Sequence, residues 1–179
     1  EVGSSKIILN VVEDDLINGS ITLDNHGNRY TAKQRSTVKL NVNNPLKIGD
    51  KLSITKTFNA GEKFDFSQFD YEVPLGQSGL KAFASASRLE FEIGKELKTN
   101  PISMGNADTY EVGIKYPIQI TNNQSIFLKT SIEKKEIYNE TTGVLTNDKT
   151  IENTKIGFDF EGKNIFQDSS LSGVSVTGI

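Results

Sequence analysis

The side chains that could do acid–base chemistry in this chain are a single histidine and a few closely spaced carboxylates. His26 is the only histidine among the 179 residues, so a Ser-His-Asp triad or a histidine metal site would have to be built on it. It stands between Asn25 and Gly27, in a sequence typical of turns. We interpret His26 as a solvated turn residue, and the sequence predicts no catalytic role for it.

The carboxylates occur in pairs, the arrangement that glycoside hydrolysis requires when two of them face each other about 5–9 Å apart. Asp15 follows Asp14, and Glu92 lies two residues after Glu90. Glu90 and Glu92 alternate with apolar residues, as the wet face of a β-strand would. The sequence contains no cysteine, no glycine-rich phosphate loop and no calcium loop. We therefore predict neither an enzyme nor a metal or cofactor site.

A different set of polar residues alternates with apolar ones along two-residue periods and forms one side of several predicted strands. The set mixes both charge signs with an amide, so it offers hydrogen bonds without a strong charge trap. Such a set suits the watery interior of a membrane barrel, and the solvated face of a soluble sheet is the alternative. The predicted channel-lining residues are Lys39, Asn41, Lys115, Lys129 and Glu133.

Composition narrows the classes of protein that fit. The net charge of -3 and the pI near 5.3 argue against a nucleic-acid partner, and no basic run interleaved with aromatic residues is present. The mean hydropathy of -0.39 is low for a helical membrane protein, but strands that alternate apolar and polar residues keep this average low even in a membrane barrel. No apolar run reaches the roughly 18 residues of a transmembrane helix.

Two-residue alternation predicts an all-β chain without helices. The clearest stripe runs from Tyr110 to Ile120, and its 11 residues match the roughly 9–11 that a tilted transmembrane strand needs. Eight strands are predicted, and a ninth begins near Leu171. The eight are Ile17 to Leu23, Arg35 to Asn43, Lys51 to Asn59, Phe64 to Val73, Leu80 to Ile93, Thr109 to Ile120, Ser125 to Ile137, and Lys155 to Lys163.

The predicted connections alternate between short and long, as they do in outer-membrane barrels, where the short set is periplasmic. The long connections are rich in Asn, Thr and Gly. The short ones are Asn43 to Asp50, Pro74 to Gly79, Thr121 to Gln124 and Gln167 to Ser170, and the long ones include Asn25 to Lys33, Gly94 to Asp108 and Tyr138 to Asn153.

Two strands depart from strict alternation. Lys56 interrupts the apolar stripe of the third strand. In the fourth, Phe64 and Phe66 are out of phase with Phe69 and the apolar residues after it. A β-bulge near residues 67 and 68 would restore the register, so we predict one there.

Three turn signatures in fixed order carry a resemblance to a known family. They are the stretches Asn25 to Tyr30, Asn44 to Asp50 and Pro74 to Gly79, within DNHGNRYT, LNVNNPLKIGDKLSI and YEVPLGQSGLKAFASAS. This pattern resembles the start of the barrel in the outer-membrane transporters of two-partner secretion, the hemolysin-activator type. Ala32 stands where that family usually has glycine, and Lys56 is the other departure.

The resemblance implies a fold and a division of the chain. Residues 16–179 would be the amino-terminal part of an antiparallel transmembrane β-barrel, with eight to nine of the about 16 strands that the family's barrel has. Residues 1–15, with the run KIILNVVE, would end a periplasmic POTRA domain. From periodicity alone, that run fits an ordinary strand of a soluble domain as well.

The resemblance also implies a function. The protein would be a translocator in the outer membrane of a Gram-negative bacterium that secretes a large partner exoprotein, a hemolysin or adhesin, without ATP. Its partners would be that exoprotein and outer-membrane lipid. Two alternatives remain open at this point: a soluble β-sandwich or surface adhesin domain, and a related barrel that inserts outer-membrane proteins.

Overall fold

A computed structural model describes residues 15–59, 61, 63–93, 103–121, 124–163 and 171–178. Each strand pairs antiparallel with the next along the chain, which gives a single sheet in the order β1 to β9. The prediction of an all-β antiparallel chain is confirmed. The strands are β1 (Ile17–Asp24), β2 (Arg35–Asn43), β3 (Lys51–Phe58), β4 (Phe64–Pro74), β5 (Lys81–Glu92), β6 (Ser103–Ile120), β7 (Gln124–Thr141), β8 (Val144–Lys163) and β9 (Leu171–Gly178).

Nothing in the described part of the chain forms a helix long and apolar enough to cross a membrane. Residues 1–14 lie outside the described residues, so the predicted boundary between a POTRA domain and the sheet stays a prediction. The same holds for the short connection predicted from Gln167 to Ser170.

The first five strands end within one residue of their predicted bounds, but β6, β7 and β8 are much longer than predicted. The prediction of a long connection from Tyr138 to Asn153 is wrong, because strand pairing continues through it to a two-residue turn. That turn is formed by Thr142 and Gly143, whose φ angles of 52° and 76° suit a tight hairpin. Polar residues occupy both faces of this stretch, so it offered no apolar stripe to detect.

The predicted β-bulge at residues 67 and 68 is also wrong. Ser67 and Gln68 pair in unbroken register with β3 on one side and β5 on the other. The register shifts lie elsewhere, between Pro117 and Gln119 in β6 and between Asn139 and Glu140 in β7. Two continuous ladders of backbone hydrogen bonds keep β4 regular, and Phe64 is therefore on the opposite face from Phe69.

Register sorts most side chains into an apolar face and a polar face. Val112, Ile132 and Ile156 of the apolar face are 59%, 61% and 57% exposed. Such a large exposed apolar surface marks an interaction with a membrane or another protein. The apolar face comprises Val38, Leu40, Val42, Leu52, Ile54, Phe69, Tyr71, Val73, Val112, Ile114, Ile132, Ile156 and Phe158.

No second layer of structure packs on this sheet within the described residues. Strand contacts occur only between neighbours in sequence. Ala32 and Phe127 are the buried apolar side chains of the described chain. A soluble domain of this size buries most of the surface of its unfolded chain in a core. The fold therefore argues against the soluble β-sandwich alternative.

The rim formed by the short turns is locked by repeated contacts between one hairpin and the next. Gly49 of the β2–β3 turn and Gly79 of the β4–β5 turn have φ angles of 84° and 76°, which favour glycine. A Cβ at position 49 would lie 3.3 Å from Pro74, and a Cβ at position 79 would lie 2.9 Å from Pro117. Each of these turns thus contacts a proline on a later strand.

The carboxylate of Asp50 organises the β2–β3 turn. The Leu46 N–H donates to it at 3.2 Å and the Tyr71 hydroxyl at 2.8 Å, while the Gly49 N–H donates to the Asn44 side chain at 2.6 Å. Asp50 has no exposed surface. Desolvation raises the pKa of its carboxyl, but the hydrogen bonds from Tyr71 and the turn backbone outweigh it and hold the pKa below its usual value.

Candidate functional site

The polar face is the candidate site, and all five predicted channel-lining residues belong to it. Lys115 pairs directly with Lys129 across β6 and β7, and Glu133 lies four residues further along β7 on the same face. Lys39 and Asn41 share the face but lie on β2, so three strands separate them from β6. The structure thus brings three of the five together and places two on a separate stretch of the same wall.

An ion cluster occupies the polar face where β6, β7 and β8 run side by side. Lys155 forms an ion pair with Glu133 and lies 3.7 Å from Glu111, whose carboxylate is 3.3 Å from the ammonium of Lys129. Glu111 and Glu133 are direct cross-strand partners, and two carboxylates so placed repel each other. The two lysines offset this repulsion, and the cluster has no net charge.

One further lysine of the face, Lys115, and Lys129 of the ion cluster both contact aromatic rings. Lys115 is 3.3 Å from the carboxylate of Asp159 and 5.4 Å from the ring centre of Phe127. Lys129 lies 4.4 Å above the ring centre of Phe83. Such cation–π contacts contribute about 0.5–2 kcal/mol each. These lysine side chains are therefore held in place by carboxylates and aromatic rings.

The half of the polar face that belongs to β1, β2 and β3 carries amides and hydroxyls. The Asn41 amide donates to Asn18 at 2.9 Å, and the Ser53 hydroxyl donates to Asn41 at 2.7 Å. Thr37 and Thr57 share a hydrogen bond at 3.0 Å. Besides the charge of Lys39, this half offers neutral donors and acceptors, whereas the half formed by β6 to β8 offers paired charges.

The predicted channel-lining set leaves out Glu111, Lys155 and Asp159, which complete the ion cluster and the Lys115 pair. Their two-residue spacing along each strand was visible. Their partners lie on neighbouring strands, however, and the long extension of β8 hid the pairing register.

The described residues that were considered for catalysis lie in a loop or in ion pairs. His26 lies in the exposed β1–β2 loop, and its backbone N–H donates to the Asp24 carboxylate at 3.0 Å. Glu90 pairs with Arg88 at 2.7 Å and Glu92 with Lys63 at 2.6 Å. In the part of the chain described by the structure, no three His, Cys, Asp or Glu side chains cluster as metal ligands would.

Glu90 and Glu92 do not lie on the polar face that carries the predicted channel-lining residues. Glu90 pairs with Asp65 and continues the face of Ala82, Ala84 and Ala86, which is the apolar one. Their charge marks the place where that face stops being apolar. Leu89 and Phe91 alternate with them along β5 and therefore lie on the polar face.

Two solved structures have the same fold as this sheet. It matches CdiB from Escherichia coli with a TM-score of 0.69 and 18% identity, over 87% of this chain and 30% of that one. It matches CdiB from Acinetobacter baumannii with a TM-score of 0.68 and 14% identity, over 91% and 31%. These are outer-membrane β-barrel transporters of Gram-negative bacteria, so the sheet has the fold of part of such a barrel.

The family follows from the sequence. Residues 3–175 match the family described as haemolysin secretion/activation protein ShlB/FhaC/HecB, and the chain belongs to this family of two-partner secretion transporters. It is 22% identical over 180 residues to the heme/hemopexin transporter protein HuxB of Haemophilus influenzae strain 86-028NP, covering 97% of this chain and 32% of that protein. HuxB of strain Rd is 21% identical over 149 residues. The chain spans about a third of these relatives, and the family resemblance is confirmed.

Proposed function

We propose that this chain is the amino-terminal part of an outer-membrane barrel that secretes a large partner protein. One observation carries the proposal most directly: a sheet of nine strands exposes a wide apolar face while its opposite face is polar and internally paired. In a barrel, lipid covers the first face and water fills the space inside the second. Family membership supplies the class of cargo, a secreted exoprotein.

The polar face would line the channel, with Lys39, Asn41, Lys115, Lys129 and Glu133 in its wall. Every lysine of the ion cluster has a carboxylate within 4 Å. A passing polypeptide of either charge would therefore meet no unbalanced charge in this cluster. The amides and hydroxyls of β1 to β3 would exchange hydrogen bonds with its backbone.

Residues 1–15 would end a POTRA domain on the periplasmic side, where the cargo would first bind. Because β1 follows that segment, the short turns would be periplasmic and the β7–β8 hairpin extracellular. The family relation supports this orientation, and it favours secretion over the insertion of outer-membrane proteins. Outer-membrane lipid would be the second partner, in contact with the apolar face.

The proposal is tested by cysteine accessibility in the full-length transporter, inserted in lipid vesicles. This chain has no native cysteine, which simplifies the design. We expect a water-soluble maleimide to label Asn41→Cys, Lys129→Cys and Glu133→Cys. The matched variants Leu40→Cys, Leu128→Cys and Ile132→Cys, one residue away on the apolar face, would resist that reagent and react with a lipid-soluble one. Equal labelling of both sets by the water-soluble reagent would contradict the proposal.

A further inference from the structure

The polar face carries an apolar patch at the end of the sheet opposite the short turns. Phe66 pairs with Leu89, and Phe64 pairs with Phe91, across β4 and β5. The same row continues through Ala107 to Ile137 on β6 and β7. We call these six residues the loop-end patch. All six are partly buried and keep some exposed surface.

The two faces exchange character at this height. The neighbouring row of paired residues belongs to the apolar face, yet it reads Lys56, Ser67, Arg88, Asp108 and Glu136. Its charges are paired: Lys56 contacts Asp65, and Arg88 contacts Glu90 and Asp108. Above the lipid-facing band, the outer side is therefore wet and the inner side is apolar. Register is continuous through Ser67 and Gln68, so no bulge or slip produces this exchange.

Two phenylalanines of β5 lie against glycines of β6 on the polar face. Phe83 pairs with Gly113 and Phe91 with Gly105, eight residues apart on each strand. A Cβ would come within 2.6 Å of the Phe83 ring at position 113, and within 3.0 Å of the Phe91 ring at position 105. Each ring thus occupies the space above a bare backbone. The difference between them is that the ammonium of Lys129 covers Phe83, 4.4 Å from its centre.

From the inversion of the faces and the partly exposed rings, we propose that the loop-end patch binds apolar side chains of the extended polypeptide as it leaves the channel. This inference rests on the proposed function. The patch continues the polar wall of that channel toward its outer end, and lipid would lie on the opposite side of the sheet. An extended chain presents alternate side chains about 6.6 Å apart, which matches the step from Phe64 to Phe66 and from Leu89 to Phe91.

Such binding would be weak and repeated. Aromatic contacts of this kind are modest, so each apolar side chain in transit would be retained several-fold longer than a polar one and then released. The patch would slow the backward movement of a segment that has emerged without stopping export. It would recognise apolar side chains in general and no particular sequence.

The test uses the full-length transporter in a planar lipid bilayer, with synthetic peptides that block its ionic current. Two peptides of about 30 residues, long enough to span the barrel when extended, would consist of Gly, Ser and Asn, with four evenly spaced residues that are Phe in one and Ser in the other. We expect the Phe peptide to block the current about three- to ten-fold longer per event. Equal dwell times for the two peptides would overturn the inference while leaving the channel intact.

Substitutions in the loop-end patch test whether its residues cause the difference in blocking time between the two peptides. Phe66→Ser combined with Leu89→Ser should abolish the difference between the peptides, and Phe66→Leu should preserve it. Gln68→Ser, one step toward the turns on the same strand and face, is the matched control and should leave the difference unchanged. Retained mobility of the unheated protein on a gel would confirm folding.

Two other outcomes count against the inference. If the double variant opens the channel without any peptide, the patch holds a segment of the transporter itself and the inference is wrong. If neither peptide blocks the current, the channel proposal fails together with it, and the cysteine labelling would fail in parallel.

Discussion

The turn-side and loop-side halves of β6, β7 and β8 share continuous backbone pairing. They differ in their outer face, which suits lipid in one half and water in the other. On the turn side, the apolar face carries Val112, Ile114 and Ile132, which oppose the paired charges of the polar face. On the loop side, the outer face carries charged residues instead, as Lys134, Glu136 and Glu152 show. Strand pairing therefore continues past the residues whose alternation of apolar and polar side chains allows a strand to be predicted from sequence.

Strand length gives the size of the loop-side half. The strands β6, β7 and β8 contain 18, 18 and 20 residues, against the roughly 9–11 needed to cross a bilayer. The surplus of about eight residues would extend some 25 Å beyond the lipid-facing band along the strand. In the proposed barrel, this surplus would form an extension outside the membrane, the hairpin extension.

The largest effect should come from placing a charge in the lipid-facing band. We expect Ile114→Arg to destabilise the folded barrel by about 2–4 kcal/mol, because the guanidinium would face lipid. Thr150→Arg lies on the same face in the hairpin extension and should change stability by less than about 0.5 kcal/mol. The measurement is the free energy of unfolding in urea with lipid vesicles. Equal costs for both variants would remove the distinction between the two halves.

The ion cluster should give the next largest effect. We expect a double-mutant cycle of Glu133→Gln and Lys155→Met to yield a coupling of about 1–2 kcal/mol, because both side chains are mostly shielded from water. The control pair is Lys134 and Glu136, 2.8 Å apart and nearly half-exposed on the extension. Its coupling should not exceed about 0.5 kcal/mol. A larger coupling in the exposed pair would reverse the comparison.

The alternation of apolar and polar residues decides how much of each half could be predicted from the sequence. The apolar stripe of residues 110–120 predicted the turn-side part of β6 and its two faces, and the Asn44 to Asp50 turn fixed the bounds of β2 and β3. The extension of β8 was missed because polar residues on both faces leave no periodic signal. The ion cluster was found in part, since the polar face was visible but its cross-strand partners depend on pairing register.

The β2–β3 turn should give a smaller effect, visible as a dependence on pH. Since the folded state lowers the pKa of Asp50, the stabilisation is fully present above its unfolded pKa of about 4 and is lost as pH falls through the lower folded value. We expect Asp50→Asn to reduce this loss between about pH 5 and pH 2. Tyr71→Phe removes one donor to the carboxylate and should shift the transition toward higher pH. The measurement is the urea midpoint at each pH, and an unchanged profile in Asp50→Asn would refute the role of this carboxylate.

The smallest effect is expected from the surface of the extension itself. Glu136→Ala removes an exposed partner of Lys134 and should change the free energy of unfolding by less than about 0.5 kcal/mol. Thermal unfolding of this variant in vesicles checks the value. A loss of unfolding free energy above about 1 kcal/mol would mean that the extension contributes to the stability of the whole sheet.

The contacts of Gly49 with Pro74 and of Gly79 with Pro117 bear on how such barrels can be recombined. Each glycine is in contact with a proline on a later strand, so a hairpin grafted from a relative with a side chain at either glycine would collide with the host's proline. Chimeric transporters should therefore tolerate exchange of β2 to β4 as one block, or of β4 to β6, better than exchange of a single turn. The two glycine–proline contacts thus define overlapping blocks of strands that should be exchanged together.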